Sequence, residues 1–239
     1  MSVKALVGQP KPFYLIFLIE IWERFGYYGV QVLLVLYMVQ KFKFTDTHAD
    51  FLFAAFSALV FLLPCVGGYI GDKVLGTKRT ILLGAVVLAL GYLLLSIPHN
   101  SPAFLALPLA VIAVGNGLFK ANPSSLLSKV YEGTDHNIDG GYTLYYMAVN
   151  IGAFMSMNLT PILSEHFGWH VAFSVCFVGL VVAIINFLLM KHNVKHIGSK
   201  PDAAPMRKDY LVYVLVLAAG LVAACYYLLT YYRVMVWLL

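Results

Sequence analysis

The sequence predicts an all-α membrane protein, with a six-helix transmembrane bundle followed by one further transmembrane helix. Of its 239 residues, 61% are hydrophobic and only 11% are charged, which is far from the composition of soluble proteins. Successive apolar runs reach the length of about 18 residues that lets a helix cross a hydrocarbon core. Most basic residues lie in the short segments between these runs. Water-soluble globular folds are therefore excluded.

The apolar runs divide the chain into four parts. The six-helix bundle is predicted over residues 13–192, between an N-terminal tail at 1–12 and a linker at 193–209 that contains glycine and proline. An additional helix is predicted within 210–239, where the apolar run covers 210–230. The six spans of the bundle are expected at 13–39, 49–71, 80–97, 102–128, 141–164 and 169–190.

The basic residues predict the orientation of the chain. With a cytoplasmic N-terminus, eleven of them fall on the cytoplasmic side and three on the outer side, as the positive-inside rule requires. The formal charge of +5 therefore reflects membrane topology, and no nucleic-acid partner is expected. The cytoplasmic set is Lys4, Lys11, Lys73, Lys78, Arg79, Lys129, Lys191, Lys195, Lys200, Arg207 and Lys208, and the outer set is Lys41, Lys43 and Arg233.

The cysteines and histidines predict neither a disulfide nor a metal site. His192 and His196 are four residues apart, but they lie in a basic segment and are interpreted as solvated. Each cysteine lies inside an apolar run, which is typical of a small buried side chain. The three cysteines are Cys65, Cys176 and Cys225.

Four charged side chains lie within predicted spans. Glu20, Glu23 and Arg24 belong to the first span, and Lys120 belongs to the fourth. A charge at the centre of a membrane helix costs about 2.5–3.5 kcal/mol even on the lenient scale from insertion experiments. Such side chains therefore face a cavity or one another. The two acids balance the two bases, and all four are candidates for a functional site.

The first span carries a polar stripe on an otherwise apolar helix. At about 100° per residue, its members fall on one arc of roughly 140°. A structural ion pair between Glu20 and Arg24, four residues apart, accounts for only two of these groups. The number of polar groups, together with Lys120 elsewhere, favours a site for a solute or a proton. The polar stripe consists of Glu20, Glu23, Arg24, Tyr27, Tyr28 and Gln31.

The fifth predicted span has a second, weaker polar line. Thr143, Tyr146 and Asn150 follow one another at spacings of three and four residues. Asn150 fits an interhelical hydrogen bond as well as it fits a ligand contact, so its role stays open. Gly152 is expected to let a neighbouring helix approach closely.

The glycine-rich loop after the second span, residues 67–79, predicts a gating hinge. It does not have the GxxxxGK[ST] order of a phosphate-binding loop, and no strand precedes it. Its glycines permit close helix packing, and its basic pair is expected to anchor the cytoplasmic edge. Asp72 is expected to accept hydrogen bonds from a helix N-terminus or an arginine. The residues assigned to the hinge are Gly68, Gly71, Asp72, Lys78 and Arg79.

Four segments together resemble the proton-dependent oligopeptide transporters of the major facilitator superfamily, and are most similar to bacterial dipeptide and tripeptide permeases. The resemblance extends from about residue 13 to about 210, which is the N-terminal six-helix bundle of that family. The segments are EIWERFGYYG at 20–29, the loop at 67–79, GLFKANPSS at 117–125 and YTLYYMAVNIGAF at 142–154.

This resemblance implies proton-coupled symport of dipeptides and tripeptides across the bacterial inner membrane, without enzymatic activity, cofactor or metal. The partners it implies are short peptides, protons and the lipid bilayer. Proton coupling is implied for Glu20, Glu23 and Arg24, with protonation loosening a carboxylate from the guanidinium. Peptide contact is implied for Arg24, Tyr27, Tyr28, Lys120 and Asn150.

Two departures from the family bear on this expectation. Phe61 stands where relatives commonly carry a tyrosine that reaches the substrate. The family also has a second six-helix bundle, whereas this sequence ends at Leu239, near what resembles a helix between the two halves. The open alternatives are a transport-incompetent half with a missing C-terminal half, a carrier of another small solute, and a membrane enzyme that uses Glu20 and Glu23 as acid and base. No nucleophile or cofactor motif accompanies those two acids.

Overall fold

The computed structural model describes residues 8–133 and 138–231, and within these ranges the chain is helical, with no strands. The predicted all-α fold is therefore confirmed. The long helices are α1 (Lys11–Phe42), α2 (Asp46–Leu62), α4 (Thr77–Ser96), α5 (Pro102–Val130), α6 (Ile138–Phe167), α7 (Trp169–Met190) and α9 (Lys208–Thr230). The short ones are α3 (Pro64–Tyr69), a π-helical turn (Ile70–Val74), a 3₁₀ turn (Lys191–Val194) and α8 (Lys200–Ala203).

Six helical segments in the described ranges are long and apolar enough to cross a membrane. They are Asp46–Val74, Thr77–Ser96, Pro102–Val130, Ile138–Phe167, Trp169–Val194 and Lys208–Thr230. The first helix, α1, is not in this set, although its 32 residues extend over about 48 Å. The polar stripe lowers the mean hydropathy of α1. Its length and its many buried residues, more than its composition, mark it as part of the bundle.

Local sequence signals account for where these helices begin. Pro64 and Pro102 occupy the first positions of α3 and α5, where the missing N–H of proline leaves no helical bond unmade. Thr45 caps α2, because its hydroxyl oxygen accepts a hydrogen bond from the backbone N–H of His48 at 3.3 Å. Pro123 lies inside α5, as membrane helices tolerate when neighbouring groups satisfy the backbone.

The central helix of the bundle is α1, which packs along both α6 and α7. An extensive pairing between α4 and α5 forms the other part of the core, and α4 also contacts α7. Two close backbone approaches tighten these contacts. A Cβ at Gly152 would overlap the carbonyl oxygen of Ile21 on α1, which agrees with the predicted role of this glycine. A Cβ at Gly67 would overlap the carbonyl group of Gly117.

The prediction that all three cysteines are buried is wrong for one of them. Cys176 and Cys225 are buried, whereas Cys65 is exposed on α3. Hydropathy predicts that a segment avoids water, but it does not distinguish a side chain that packs inside the protein from one that faces outward.

The last described helix, α9, begins at Lys208, two residues before the predicted start of the additional helix. It packs mainly on α5 and to a smaller extent on α2. Few of its side chains are buried, namely Val214, Ala218, Cys225 and Leu229. The predicted outer residue Arg233 lies outside the described residues, as does Lys4 of the cytoplasmic set.

Gly152→Ala is expected to destabilise the bundle, because the added Cβ overlaps the backbone of α1. Overpacking of this kind costs about 1–3 kcal/mol. Gly220→Ala on α9 is the matched control, since no heavy atom lies within 4 Å of its Cβ position. Thermal unfolding of the purified chain in detergent, followed by circular dichroism, measures both variants. Equal melting temperatures would contradict the close contact between α1 and α6.

Candidate functional site

Three charged residues of the polar stripe are buried together in the middle of the bundle. Glu20, Glu23 and Arg24 are only 3%, 0% and 5% exposed. They lie on the part of α1 that packs against α6 and α7, where Gly152 allows the close approach of α6. These three charges are therefore surrounded by protein and do not face lipid, as the high free-energy cost of a charge in the membrane requires.

Arg24 is shared between the two carboxylates. Its Nε lies 3.1 Å from Glu20 Oε1 and 2.5 Å from Glu23 Oε2. Neither Arg24 Nε nor Glu23 Oε2 has a well-aligned hydrogen bond, so these contacts are ion pairs held by charge more than by hydrogen-bond geometry. One cation thus faces two anions at short range. Protonation of either acid would leave a balanced pair.

The two glutamates differ in their remaining contacts. Glu23 accepts a hydrogen bond from the side-chain amide of Asn116 on α5, with Nδ2 and Oε1 3.2 Å apart. Glu20 lies beside Tyr145 of α6, and its Oε2 is buried without a hydrogen-bond partner. Glu23 is therefore in contact with α5 through Asn116, whereas Glu20 lies toward Tyr145 of α6.

Asn116 and Tyr145 are the members of this cluster that sequence reasoning missed. Asn116 lies between Gly115 and Gly117. The two glycines predicted a bend in the helix, and no contact was predicted for the side-chain amide of Asn116. Tyr145 precedes the predicted polar line of Tyr146 by one residue. Helical spacing alone does not show which of two adjacent tyrosines faces the neighbouring helix.

A cavity of about 380 Å³ opens beside this cluster. Glu20 and Arg24 line it, whereas Glu23 does not. The cavity brings together most of the polar stripe with Lys120 and with aromatic residues of α2 and α6. Its lining consists of Glu20, Arg24, Tyr27, Tyr28, Gln31, Phe61, Lys120, Ser124, Tyr145, Tyr146 and Val149.

Lys120 is the second cation of the cavity, and its surroundings differ from those of Arg24. Its ammonium nitrogen lies 4.3 Å from the ring centroid of Phe61, a cation–π arrangement. Among the described residues, no carboxylate pairs with it and no group accepts its hydrogen bonds. Phe61 therefore holds the amine without neutralising it.

Aromatic rings also surround the guanidinium end of the site. The Tyr27 ring lies 5.2 Å from the Arg24 guanidinium carbon, and the Tyr27 and Tyr28 ring centroids are 5.3 Å apart. Both rings line the cavity, so the predicted partners Arg24, Tyr27, Tyr28 and Lys120 share one space. Asn150 is exposed on α6 and is not part of this lining, and its contact with a peptide stays a prediction.

The predicted hinge at 67–79 forms the end of α3, the π-helical turn and the start of α4. Asp72 pairs with Lys129 of α5, whose Nζ lies 3.0 Å from Oδ1. The expected partner, a helix N-terminus or an arginine, was therefore wrong, because the turn directs Asp72 toward the end of α5. Gly71 lies against the side chain of Asn122, whereas Gly68 has only an ordinary contact with α5.

The basic pair of the hinge binds the segment after α7. Lys78 Nζ donates to the carbonyl oxygen of Val194 at 3.0 Å. The guanidinium of Arg79 donates to the carbonyl oxygens of Pro201 at 3.1 Å and Ala204 at 2.7 Å. The segment predicted as a linker is thus bound, through its backbone carbonyl groups, to the segment predicted as a hinge.

Comparison with known proteins identifies the family. The POT family model matches residues 78–227, which is more than half of the chain. The chain belongs to the POT family. This match begins after α1, so the polar stripe lies outside it. The members of the POT family are transporters, which points away from enzymatic activity. The membership and the long apolar helices together make the chain a multi-pass membrane protein.

Individual relatives agree with this assignment. The chain is 52% identical to dipeptide and tripeptide permease A of Cronobacter turicensis, over 92% of this chain and 44% of the permease. It is 47% identical to dipeptide and tripeptide permease B of Yersinia enterocolitica, over 95% of this chain and 46% of the permease. The chain therefore spans about half the length of the curated relatives it matches.

Solved structures of this family have the same fold. A crystal structure of tetrameric PepTSo2 matches with a TM-score of 0.90 at 45% identity, over 95% of this chain and 51% of that chain. A bacterial homologue of the human drug peptide transporters PepT1 and PepT2 matches with a TM-score of 0.90 at 45% identity, over 96% and 53%. The predicted major-facilitator bundle is confirmed by these matches.

Arg24→Gln is expected to destabilise the bundle by about 3–5 kcal/mol, because it leaves two buried carboxylates without their cation. Adding Glu20→Gln and Glu23→Gln should recover much of this loss by removing the unpaired charges. Arg207→Gln is the control, since Arg207 and its partner Asp209 are exposed and such pairs contribute about 0–1 kcal/mol. Thermal unfolding in detergent compares the variants. Equal losses for Arg24→Gln and Arg207→Gln would contradict a buried charge cluster.

Proposed function

We propose that this chain forms the N-terminal half of a proton-coupled symporter for dipeptides and tripeptides in the bacterial inner membrane, with a cytoplasmic N-terminus. The observation that carries the proposal is a cation shared by two buried acids beside a second, unpaired cation in one open cavity. The names of the permease relatives supply the cargo class. The excess of basic residues on one side supplies the orientation.

The carboxylate end of a peptide fits the two cations. Lys120 has no carboxylate partner among the described residues, and Arg24 lies within the same cavity. Charge-assisted hydrogen bonds from an amine and a guanidinium are the contacts that a terminal carboxylate needs. The two tyrosine rings beside Arg24 offer apolar surface and hydroxyl groups for the rest of a short peptide.

Proton coupling follows from competition for Arg24. While both glutamates are ionised, they hold the guanidinium between them. Glu20 lines the cavity and Glu23 does not, so Glu20 is the acid that a proton reaches first. Its protonation weakens the hold on Arg24, which is then free to bind a peptide carboxylate. No catalytic step on the peptide is required.

The membrane potential can drive such a cycle. Two acids and two bases make the empty site neutral, and a zwitterionic peptide leaves this balance unchanged. Each bound proton adds one positive charge, which an inside-negative potential pulls inward with about 2.3 kcal/mol per 100 mV.

The second wall of the cavity is proposed to come from a C-terminal half. Side chains around the cavity, such as Phe61 and Tyr146, are 66% and 64% exposed within this chain. Further along α6, Phe154 is 72% exposed. The match to about half of each relative is in keeping with this arrangement. The alternative is a chain that binds peptide but does not transport it.

Recognition of the peptide carboxylate is tested by binding. The purified chain is expected to bind dialanine at least about tenfold more tightly than its C-terminal amide, because the amide removes the charge that Lys120 and Arg24 bind. Lys120→Gln should reduce this preference, and Lys200→Gln, an exposed lysine outside the cavity, should not. Isothermal titration calorimetry measures all three proteins. A preference for a sugar or another uncharged solute over dialanine would overturn the peptide assignment.

Proton coupling is tested by uptake into proteoliposomes. Reconstituted together with a C-terminal half that supplies the second wall, the chain should accumulate labelled dipeptide when the outside is acidic, and Glu20→Gln should keep dipeptide exchange while losing the response to the pH gradient. Asp209→Asn is the control, because Asp209 is an exposed carboxylate far along the chain from the cavity. Gradient-driven uptake by Glu23→Gln at the parent level would exclude Glu23 as a coupling residue. Binding without uptake would establish the transport-incompetent alternative.

A further inference from the structure

A second cavity, of about 480 Å³, lies where α4 begins and α7 ends. It is separate from the peptide cavity and shares no lining residue with it. Its polar lining is mostly basic: Lys78 and Arg79 come from the start of α4, Lys191 begins the 3₁₀ turn after α7, and Lys195 directly follows that turn. Both helix ends lie on the side that the basic residues assign to the cytoplasm.

The cations of this pocket lack acidic partners. In the described ranges, no carboxylate oxygen lies within 4.0 Å of the charged nitrogens of these four residues. The pocket contains one acid, Asp202, and its Oδ2 is already used by the backbone N–H groups of Lys78 at 3.3 Å and Ser199 at 3.0 Å. Four cations therefore outweigh one carboxylate, and the pocket attracts anions.

Two of the cations are positioned in advance. Lys78 Nζ donates to the carbonyl oxygens of Val194 and Lys195, at 3.0 and 3.1 Å, which leaves one of its three donors free. The Arg79 guanidinium is held by the carbonyl oxygens of Pro201 and Ala204, which line a neighbouring cavity, so Arg79 contributes its charge at the edge of this pocket. Backbone carbonyls fix these side chains without neutralising their charge. An anion that binds here does not have to order them.

The pocket also has an apolar side. Its basic and apolar residues follow one another along the axes of α4 and α7. Leu82 lies one turn after Lys78 on α4, and Phe187 lies one turn before Lys191 on α7. Each apolar residue is thus on the membrane side of its basic neighbour. A free phosphate would use only the basic end. A lipid uses both, with its headgroup at the helix ends and its acyl chains beside the helices.

We propose that this basic pocket binds the phosphate of an anionic phospholipid of the cytoplasmic leaflet. The headgroup would lie between Lys78, Arg79, Lys191 and Lys195, with the first carbons of its acyl chains against Leu82 and Phe187. The bound lipid would also connect the hinge at 67–79 with the segment after α7, because basic residues come from both. The basic pocket is separate from the cavity beside Arg24, so lipid binding there does not depend on the identity of the cargo.

Native mass spectrometry of the full chain in a charge-neutral detergent tests the proposal. The chain is titrated with phosphatidylglycerol and with phosphatidylcholine of the same acyl chains, and bound lipids are counted. Phosphatidylglycerol is expected to bind more tightly. Lys191→Gln with Lys195→Gln should lower its affinity by about fivefold for each lysine removed. Both lysines are exposed and donate no side-chain hydrogen bond within the described residues, so the double variant should fold.

The matched control is Lys200→Gln with Lys208→Gln, which removes the same charge from exposed positions outside the pocket. Its phosphatidylglycerol affinity should equal that of the parent chain, and thermal unfolding should be the same for both double variants. Equal loss of affinity in the two double variants would overturn the proposal by showing binding to general surface charge. Displacement of the lipid by inorganic phosphate, beyond that by sodium chloride of equal ionic strength, would also overturn it, since the pocket would then take a free anion.

Discussion

The sharing of Arg24 between Glu20 and Glu23 is the interaction on which the rest of this site depends. Two buried acids and one guanidinium cannot all be satisfied at once, and Glu20 Oε2 is left without a partner. Burial of such a cluster stabilises a protein less than apolar packing in the same volume would. Stability therefore does not explain the arrangement, whereas its ability to exchange protons and ion-pair partners does. It is a set of charges whose balance changes when one proton or one carboxylate arrives.

The packing around α1 serves this cluster. Gly152 brings the backbone of α6 against that of α1, so that Tyr145 reaches the neighbourhood of Glu20. From the other side, α5 supplies the amide of Asn116 to Glu23 and the amine of Lys120 to the cavity. The two glutamates of α1 thus have contacts on different neighbouring helices, Glu20 on α6 and Glu23 on α5. A small shift of α5 relative to α1 would therefore alter the hydrogen bond of Glu23 with Asn116 but not the contact of Glu20 with α6.

The sequence predicted α1 and its polar stripe well because one helix imposes one periodicity, and polar groups at that spacing must share a face. It could not predict Asn116 and Tyr145 as partners, because those contacts depend on the rotation and depth of neighbouring helices. The Lys129 partner of Asp72 was missed for a related reason, since the π-helical turn changes the direction of the side chain. Cys65 shows a third limit: hydropathy is the same for a side chain facing the core and for one facing outward.

The two cations of the cavity are held in different ways, and this difference suggests an order of events. Arg24 is compensated by two carboxylates, whereas the Lys120 ammonium rests on the Phe61 ring with its charge intact. In the proposed cycle, an arriving carboxylate therefore meets an available partner first at Lys120. Arg24 would become available in that cycle only when protonation of a glutamate weakens its ion pair. Peptide binding at Lys120 and protonation at Glu20 would then act on the same guanidinium, which links substrate and proton without direct contact between them.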